Sequence, residues 1–167
     1  MSPADFRIGH GFDVHRFADS FDPDKPLKLA GLTLPDEMSL VAHSDGDVVL
    51  HAICDAMLGA IAAGDIGQHF PDTDARYANA DSINLLQQVL NEANKRGFQP
   101  INVDVTVVAQ TPKLAGHREE MVAGLAGLLH LDTDRVNLKA TTTEGMGYIG
   151  RKEGIACHCV VLMAASD

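Results

Sequence analysis

Phe6-Arg7-Ile8-Gly9-His10-Gly11-Phe12-Asp13-Val14-His15 is the stretch from which the fold is read. Phe6, Ile8, His10 and Phe12 alternate with Arg7, Gly9, Gly11 and Asp13, a period of two that predicts a β-strand over 6–13. The second face of that strand is unusually bare. Glycines there point to a close backbone approach, or else to a bulge or tight sheet contact. If the run stays extended, Asp13 and His15 leave the same face. Such a pair is either half of a metal site or a solvated strand end. His51, inside a stretch that reads as a helix, supplies a third ligand if that helix packs beside the strand. Two imidazoles and one carboxylate around zinc leave a fourth position open, the pattern of a catalytic centre rather than a structural one.

Outward from this strand, 19–26 reads as an acidic, proline-bearing loop, and Leu27 to Leu34 as a small hairpin turning at Ala30-Gly31. A helix is expected over 44–64, with Ser44 as cap and Asp47 three residues on completing a capping-box-like start. Asp47, His51 and Asp55 then share one face, either to orient the distal nitrogen of His51 or as a polar solvent stripe. Free amides at that helix start predict an anion site, with His43 and Ser44 touching a phosphate. The loop 64–74 is dense in glycine, proline and acids; its groups bind ribose hydroxyls, metals or anions, or simply solvate. A helix over 81–96, stopped at Gly97, reads as scaffold. The strand 101–109 is broken by Gln110-Thr111-Pro112-Lys113. A helix over 114–130 and strands over 136–141 and 155–163 follow. The expected fold is α+β: a single layer of mixed β-sheet packed on one side by helices, β-α-β-α-β-β with a small hairpin insert, forming one domain over 1–167.

Composition narrows the function. The chain has 167 residues, 46% of them hydrophobic, and a formal charge of -10. No basic run exists to neutralise a nucleic-acid backbone, so no nucleic-acid partner is expected. No apolar run reaches the ~18–20 residues that span a bilayer, and the N-terminal residues lack the apolar core of a signal peptide. A cytoplasmic protein without membrane contact is expected. Cys54, Cys157 and Cys159 sit in apolar surroundings and read as buried free thiols; a Cys157-x-Cys159 clip lacks a second cysteine pair.

The segment Thr141-Thr142-Thr143-Glu144-Gly145-Met146-Gly147-Tyr148-Ile149-Gly150-Arg151 carries the donors a phosphate site needs: hydroxyls, loop amides, the Arg151 fork, and Glu144 for a hard cation. It is otherwise a connection between strands. The ordered blocks HGFDVH, AHSDGDVxxH, GDIGxxFPDTD, AQxPK, KATTTE and GRxEGIAC, spread from His10 to Cys157, resemble the 2-C-methyl-D-erythritol 2,4-cyclodiphosphate synthase family. The resemblance implies a homotrimer with active sites at subunit interfaces. It implies cyclisation of 4-diphosphocytidyl-2-C-methyl-D-erythritol 2-phosphate with release of CMP, in the non-mevalonate route to isoprenoids. On the family pattern Asp13, His15 and His51 match the zinc ligands, and Glu144 the ligand of a second divalent cation, Mg2+ or Mn2+. His43 and Thr142 match residues that position phosphates and stabilise the transition state. The substrate, a small-molecule cytidine diphosphate, is expected against Asp13, Val14, His15, His43 and Ser44, and against Asp65, Ile66 and Gly67 at the ribose and erythritol. Phe70, Pro71, Asp72, Thr73 and Asp74 match a substrate loop. Ala109, Gln110, Thr111, Pro112, Lys113, Leu114 and Ala115 match the cytidine pocket with Thr141 and Thr142. Thr143, Glu144, Tyr148 and Arg151 are further expected contacts.

One departure stands out. Many members carry glutamate where this chain has His158, and that glutamate can pair with the arginine matching Arg151 beside a central trimer cavity; some relatives bind an isoprenoid diphosphate there. The pairing is therefore expected to be lost or pH-dependent here. Two rival functions remain: a zinc phosphohydrolase that activates water, and a metal-storing or assembly module.

Overall fold

The computed structural model describes residues 5–77 and 79–166. In chain order the elements are β1 (Phe6–Arg16), β2 (Lys28–Leu29), β3 (Leu32–Thr33), α1 (Val48–Ala60), α2 (Ile66–His69), α3 (Ser82–Lys95), β4 (Phe98–Val108), α4 (Arg118–Leu129), β5 (Val136–Thr141), α5 (Gly147–Gly150) and β6 (Gly154–Ala165). Short 3-10 turns cover Ala75–Tyr77 and Thr133–Arg135. The main sheet runs β1-β6-β4-β5. β6 pairs antiparallel with both β1 and β4, while β4 and β5 are parallel, so the sheet is mixed. No helix among the described residues is long and apolar enough to cross a membrane.

The bare face of β1 is the packed one. Helix α1 lies so close that a Cβ on Gly9 would stand 1.7 Å from the Ala56 carbonyl oxygen, and one on Gly11 1.9 Å from that of Ala52. Only glycine admits this approach. The same side of the sheet buries Val103, Val105 and Val107 of β4 with Cys157, Cys159, Val161 and Met163 of β6. α1 rests on β1 and β6, α3 on α1 and β4, and α4 on β5. Among the described residues the opposite face carries only the one-turn α5, which lies over its Val108 and Ala156 end with Ile149 buried. Ile8 is 73% exposed there, and Phe12, Val14 and Val160 are also exposed, which leaves an apolar sheet surface open.

Two expectations about elements need correction. Both α1 and α3 fall between β1 and β4, so the order is β-α-α-β-α-β-β rather than β-α-β-α-β-β. The second helix is needed to cover α1 as well as β4. The first helix starts at Val48, not at Ser44, because Asp47 is its N-cap and its side chain accepts from the amides of Val49 and Leu50, both at 3.1 Å. That carboxylate is fully buried and also accepts from Ala30 (3.0 Å) and Gly31 (2.7 Å). Ala30 and Gly31, with φ of 58° and 79°, form the tight turn expected between β2 and β3.

Candidate metal centre and substrate cavity

Strand β1 sends Asp13 and His15 toward the helices, and α1 presents His51 to them. The Asp13 Oδ2 lies 2.9 Å from His51 Nδ1 and 3.1 Å from His15 Nε2, and the two nitrogens are 3.2 Å apart. Three ligand atoms at the corners of a triangle with edges of this length match one face of a tetrahedron around zinc, whose ligands at ~2.0–2.1 Å lie ~3.3 Å apart. These residues are the one group of three or more potential ligands found among the described residues.

The distal nitrogen of His51 fixes its tautomer. His51 Nε2 lies 2.9 Å from Ser82 Oγ and 3.2 Å from Ser44 Oγ. The Ser82 hydroxyl donates to the Asp45 carboxylate, which can only accept, so Ser82 accepts the Nε2 proton from His51. The neutral ring then keeps its Nδ1 lone pair for a cation, whereas without one Nδ1 is protonated as well and donates to Asp13. Neither Asp47 nor Asp55 has the expected role of orienting His51: Asp47 caps α1, and Asp55 accepts from the Ile66 amide at 2.7 Å. The orienting pair is Ser82 with Asp45. Sequence spacing gave no signal for it, because Ser82 reaches His51 from a different helix.

Electrostatics tie the triad together. Burial opposes charge on Asp13, but hydrogen bonds from His15 and His51, with their charge, outweigh it and hold the carboxyl well below its usual range. Burial likewise lowers the His51 value, and its hydrogen bond to Asp13 with the charges of Asp13, Asp47 and Asp45 more than offsets this, raising it. Asp47 is pushed up by burial, partly offset by the amides of Gly31, Leu50 and Ala30. The three cysteines are free and buried, as expected, and burial drives Cys159 up to about 12.

Beside the triad, His43, Ser44, Ile66, Gly67, Phe70 and Asp72 line a cavity of about 190 Å³ together with Tyr77 and Leu85. The expected anion site at the start of the 44–64 helix is not there. The Asp47 carboxylate already takes the first free amides of α1, so an anion meets a buried negative charge; His43 and Ser44 reach the cavity from the preceding loop instead. Val14 points away, onto the open sheet face. Asp65 caps α2, accepting from the Gln68 amide at 2.9 Å. Asp74 is bound by Arg76 at 2.6 Å. Pro71 and Thr73 lie in the turn between them and do not line the cavity.

The remaining expected residues form a second group. The Ala109 amide donates to Thr141 at 2.9 Å, joining the 109–115 loop to the end of β5. Gln110 holds a buried, unpartnered side-chain oxygen. Leu114 is buried and belongs to the core, while Thr111, Pro112, Lys113 and Ala115 shape the loop around it. Thr142 donates to Glu144 at 3.0 Å, and Thr143 to the Met146 carbonyl at 2.6 Å. Tyr148 is exposed, and Arg151 pairs with Glu153 at 2.6 Å rather than with His158. Asp13 is in register with Cys157, Cys157 with Val107, and Val107 with Ala140. Three strand spacings, ~14 Å, thus separate Asp13 from Ala140 next to Thr141. Within one chain Thr142 and Glu144 are at the same end of the sheet as the triad but at its other edge.

Fold and centre together define a class: α+β proteins with a mixed sheet covered on one face, able to hold a cation that has one coordination position to spare. Within that class the chain belongs to the YgbB family, whose model matches residues 6–164. It is 57% identical over 157 residues to the 2-C-methyl-D-erythritol 2,4-cyclodiphosphate synthase of Idiomarina loihiensis, covering 94% of this chain and 96% of that one. To the protein of the same name from Shewanella putrefaciens it is 58% identical over 158 residues, covering 95% and 96%. Among solved structures, IspF of Plasmodium falciparum in its CDP complex superposes with a TM-score of 0.84 at 31% identity, covering 99% of this chain and 100% of that one. The bifunctional IspDF of Campylobacter jejuni gives 0.90 at 46% identity; 97% of this chain is covered, which spans 43% of the bifunctional protein. The family resemblance drawn from the six sequence blocks therefore holds.

Proposed function

We propose that this chain converts 4-diphosphocytidyl-2-C-methyl-D-erythritol 2-phosphate to 2-C-methyl-D-erythritol 2,4-cyclodiphosphate and CMP, the reaction named by its curated relatives, as a step toward isoprenoids. The observation that carries the reading is the triangle of Asp13, His15 and His51 in the wall of the cavity. Its donor set fits zinc: two imidazole nitrogens and one carboxylate oxygen, with the His51 proton held on its far side. A bound cation there supplies Lewis-acid neutralisation of phosphate charge.

The chain's own residues do the rest by position. The substrate phosphate is the nucleophile: its oxygen bonds to the diphosphate phosphorus as the bond to the CMP oxygen breaks, and no side-chain nucleophile is needed. His43 and Thr142 hold the phosphates, and Glu144 with the substrate phosphates forms the place for Mg2+ or Mn2+. Asp65, Ile66 and Gly67 take the ribose and erythritol, with the 70–74 loop alongside. The 109–115 loop, with Thr141, Thr142, Thr143, Tyr148 and Arg151, takes the cytidine diphosphate end.

The same reading makes the protein a homotrimer with active sites at subunit interfaces. Two features support it. The triad and the Thr142–Glu144 group lie on opposite edges of one sheet, so one copy's triad is completed by a neighbour's second group. The apolar face around Ile8, Phe12, Val14 and Val160 is also open for burial.

The test is incubation of the purified protein with the cytidyl substrate, Zn2+ and Mg2+ in oxygen-18 water. The cyclase releases CMP and a cyclic diphosphate free of solvent oxygen. Labelled linear phosphates would make it a phosphohydrolase, and neither CMP release nor thermal stabilisation by CDP would leave the metal-storing reading.

A further inference from the structure

His10 and His158 belong to no part of the centre described above. They leave neighbouring antiparallel strands, β1 and β6, on the open face, whereas Asp13 and His15 leave β1 on the helix-covered face. His10 Nε2 stands 3.2 Å from His158 Nδ1, with ring centroids 5.5 Å apart and planes tilted by 33°. The Phe12 ring packs 4.7 Å from the His158 ring, which restrains that imidazole. Both histidines are exposed on the single chain, on the face that the proposed trimer turns inward. The nearest acid along this face of β4, Asp104, is occupied by Lys139 and Asn137.

We propose that His10 and His158 form a second metal site, taking a first-row divalent cation with imidazole preference, Zn2+ above all. Two imidazole nitrogens bound to one ion at ~2.0–2.1 Å lie roughly 2.9–3.4 Å apart, and the observed 3.2 Å separation lies in that range. The facing nitrogens share at most one proton as a hydrogen bond, whereas a cation takes both lone pairs at once. Imidazole ligands select zinc, copper and nickel over magnesium or calcium, so the site discriminates against the hard cation assigned to Glu144.

The test is equilibrium dialysis of the full chain against Zn2+ alone, run on the native sequence and on His10→Gln, His158→Gln and His51→Ala. Each glutamine variant is expected to lose one equivalent of Zn2+ per chain relative to the native protein, while His51→Ala keeps that equivalent. Because the readout is a difference at His10 and His158, it stands whether or not the Asp13 triad loads. Turnover of the cytidyl substrate in His158→Gln is expected to stay within twofold of the native rate. Zinc stoichiometry unchanged in both glutamine variants would reduce the pair to an ordinary hydrogen bond and overturn the proposal.

Discussion

Gly11→Ala tests how fold and centre are coupled. The new Cβ would lie 1.9 Å from the Ala52 carbonyl oxygen and 2.7 Å from the Ala56 nitrogen, and real Cβ contacts do not fall below 3.0 Å. Both neighbours are helix backbone, so no side chain can rotate away; α1 must withdraw by about 1 Å, at the upper end of overpacking costs, ~3 kcal/mol or more. For a chain of this length that lowers Tm by roughly 6–12 °C. Asp13 is two residues along the same face from Gly11, and His51 immediately precedes Ala52, so the same withdrawal stretches the 2.9 Å Asp13–His51 contact. Zinc affinity is expected to fall about 10–100-fold, the loss typical when a ligand's support is disturbed. Calorimetry and chelator competition read the two effects. A Tm within about 3 °C of native, together with unchanged zinc affinity, would refute the claim that the glycine sets the helix-to-strand distance.

Other perturbations reach different parts of the molecule. Ser82→Ala removes the acceptor of the His51 Nε2 proton and is expected to weaken zinc binding ~10-fold or more in chelator competition, with the substrate KM little changed. Gly127→Ala adds a Cβ where nothing lies within 4 Å and, inside α4, should raise stability by ~0.5–1 kcal/mol in denaturant titration. Asp13 is held low, so its contribution to the metal-free fold is complete above pH ~4 and lost as pH falls; His51 is held high, so its contribution is complete below pH ~6.5 and lost as pH rises. Zinc needs neutral imidazoles, so the rise in Tm on adding zinc should grow from about pH 5.5 to about pH 8; a flat profile counts against ligation by His51. Mixing inactive His51→Ala with inactive Glu144→Ala under subunit-exchange conditions should restore part of the CMP release, because hybrid interfaces contain one intact site; no recovery counts against interfacial sites.

What was legible in the sequence follows from what local patterns encode. The alternation and paired glycines of β1 predicted both the strand and a close neighbour, and Ala30-Gly31 predicted a turn that needs two positive φ angles. The triad was readable because Asp13 and His15 share a strand face and only one helix had to be brought to them. The His51 support was not, since it depends on α3 meeting α1, and Ser82 directly follows Asp81, the N-cap of α3, so that it looks like capping chemistry alone. The anion site at residue 44 was misread for a related reason: spacing shows which amides are free in an isolated helix, not that Asp47 folds back to take them. Likewise, the distance between the triad and Glu144 depends on strand order, which no local stretch contains.

Asp47 has one more consequence. A single carboxylate gathers four amides, two from the helix and two from the turn at Ala30-Gly31, and so rivets the small hairpin to the base of the helix that carries His51. The hairpin is thus no decorative insert: trimming 27–34 would strip two donors from a sealed negative charge and unseat the helix.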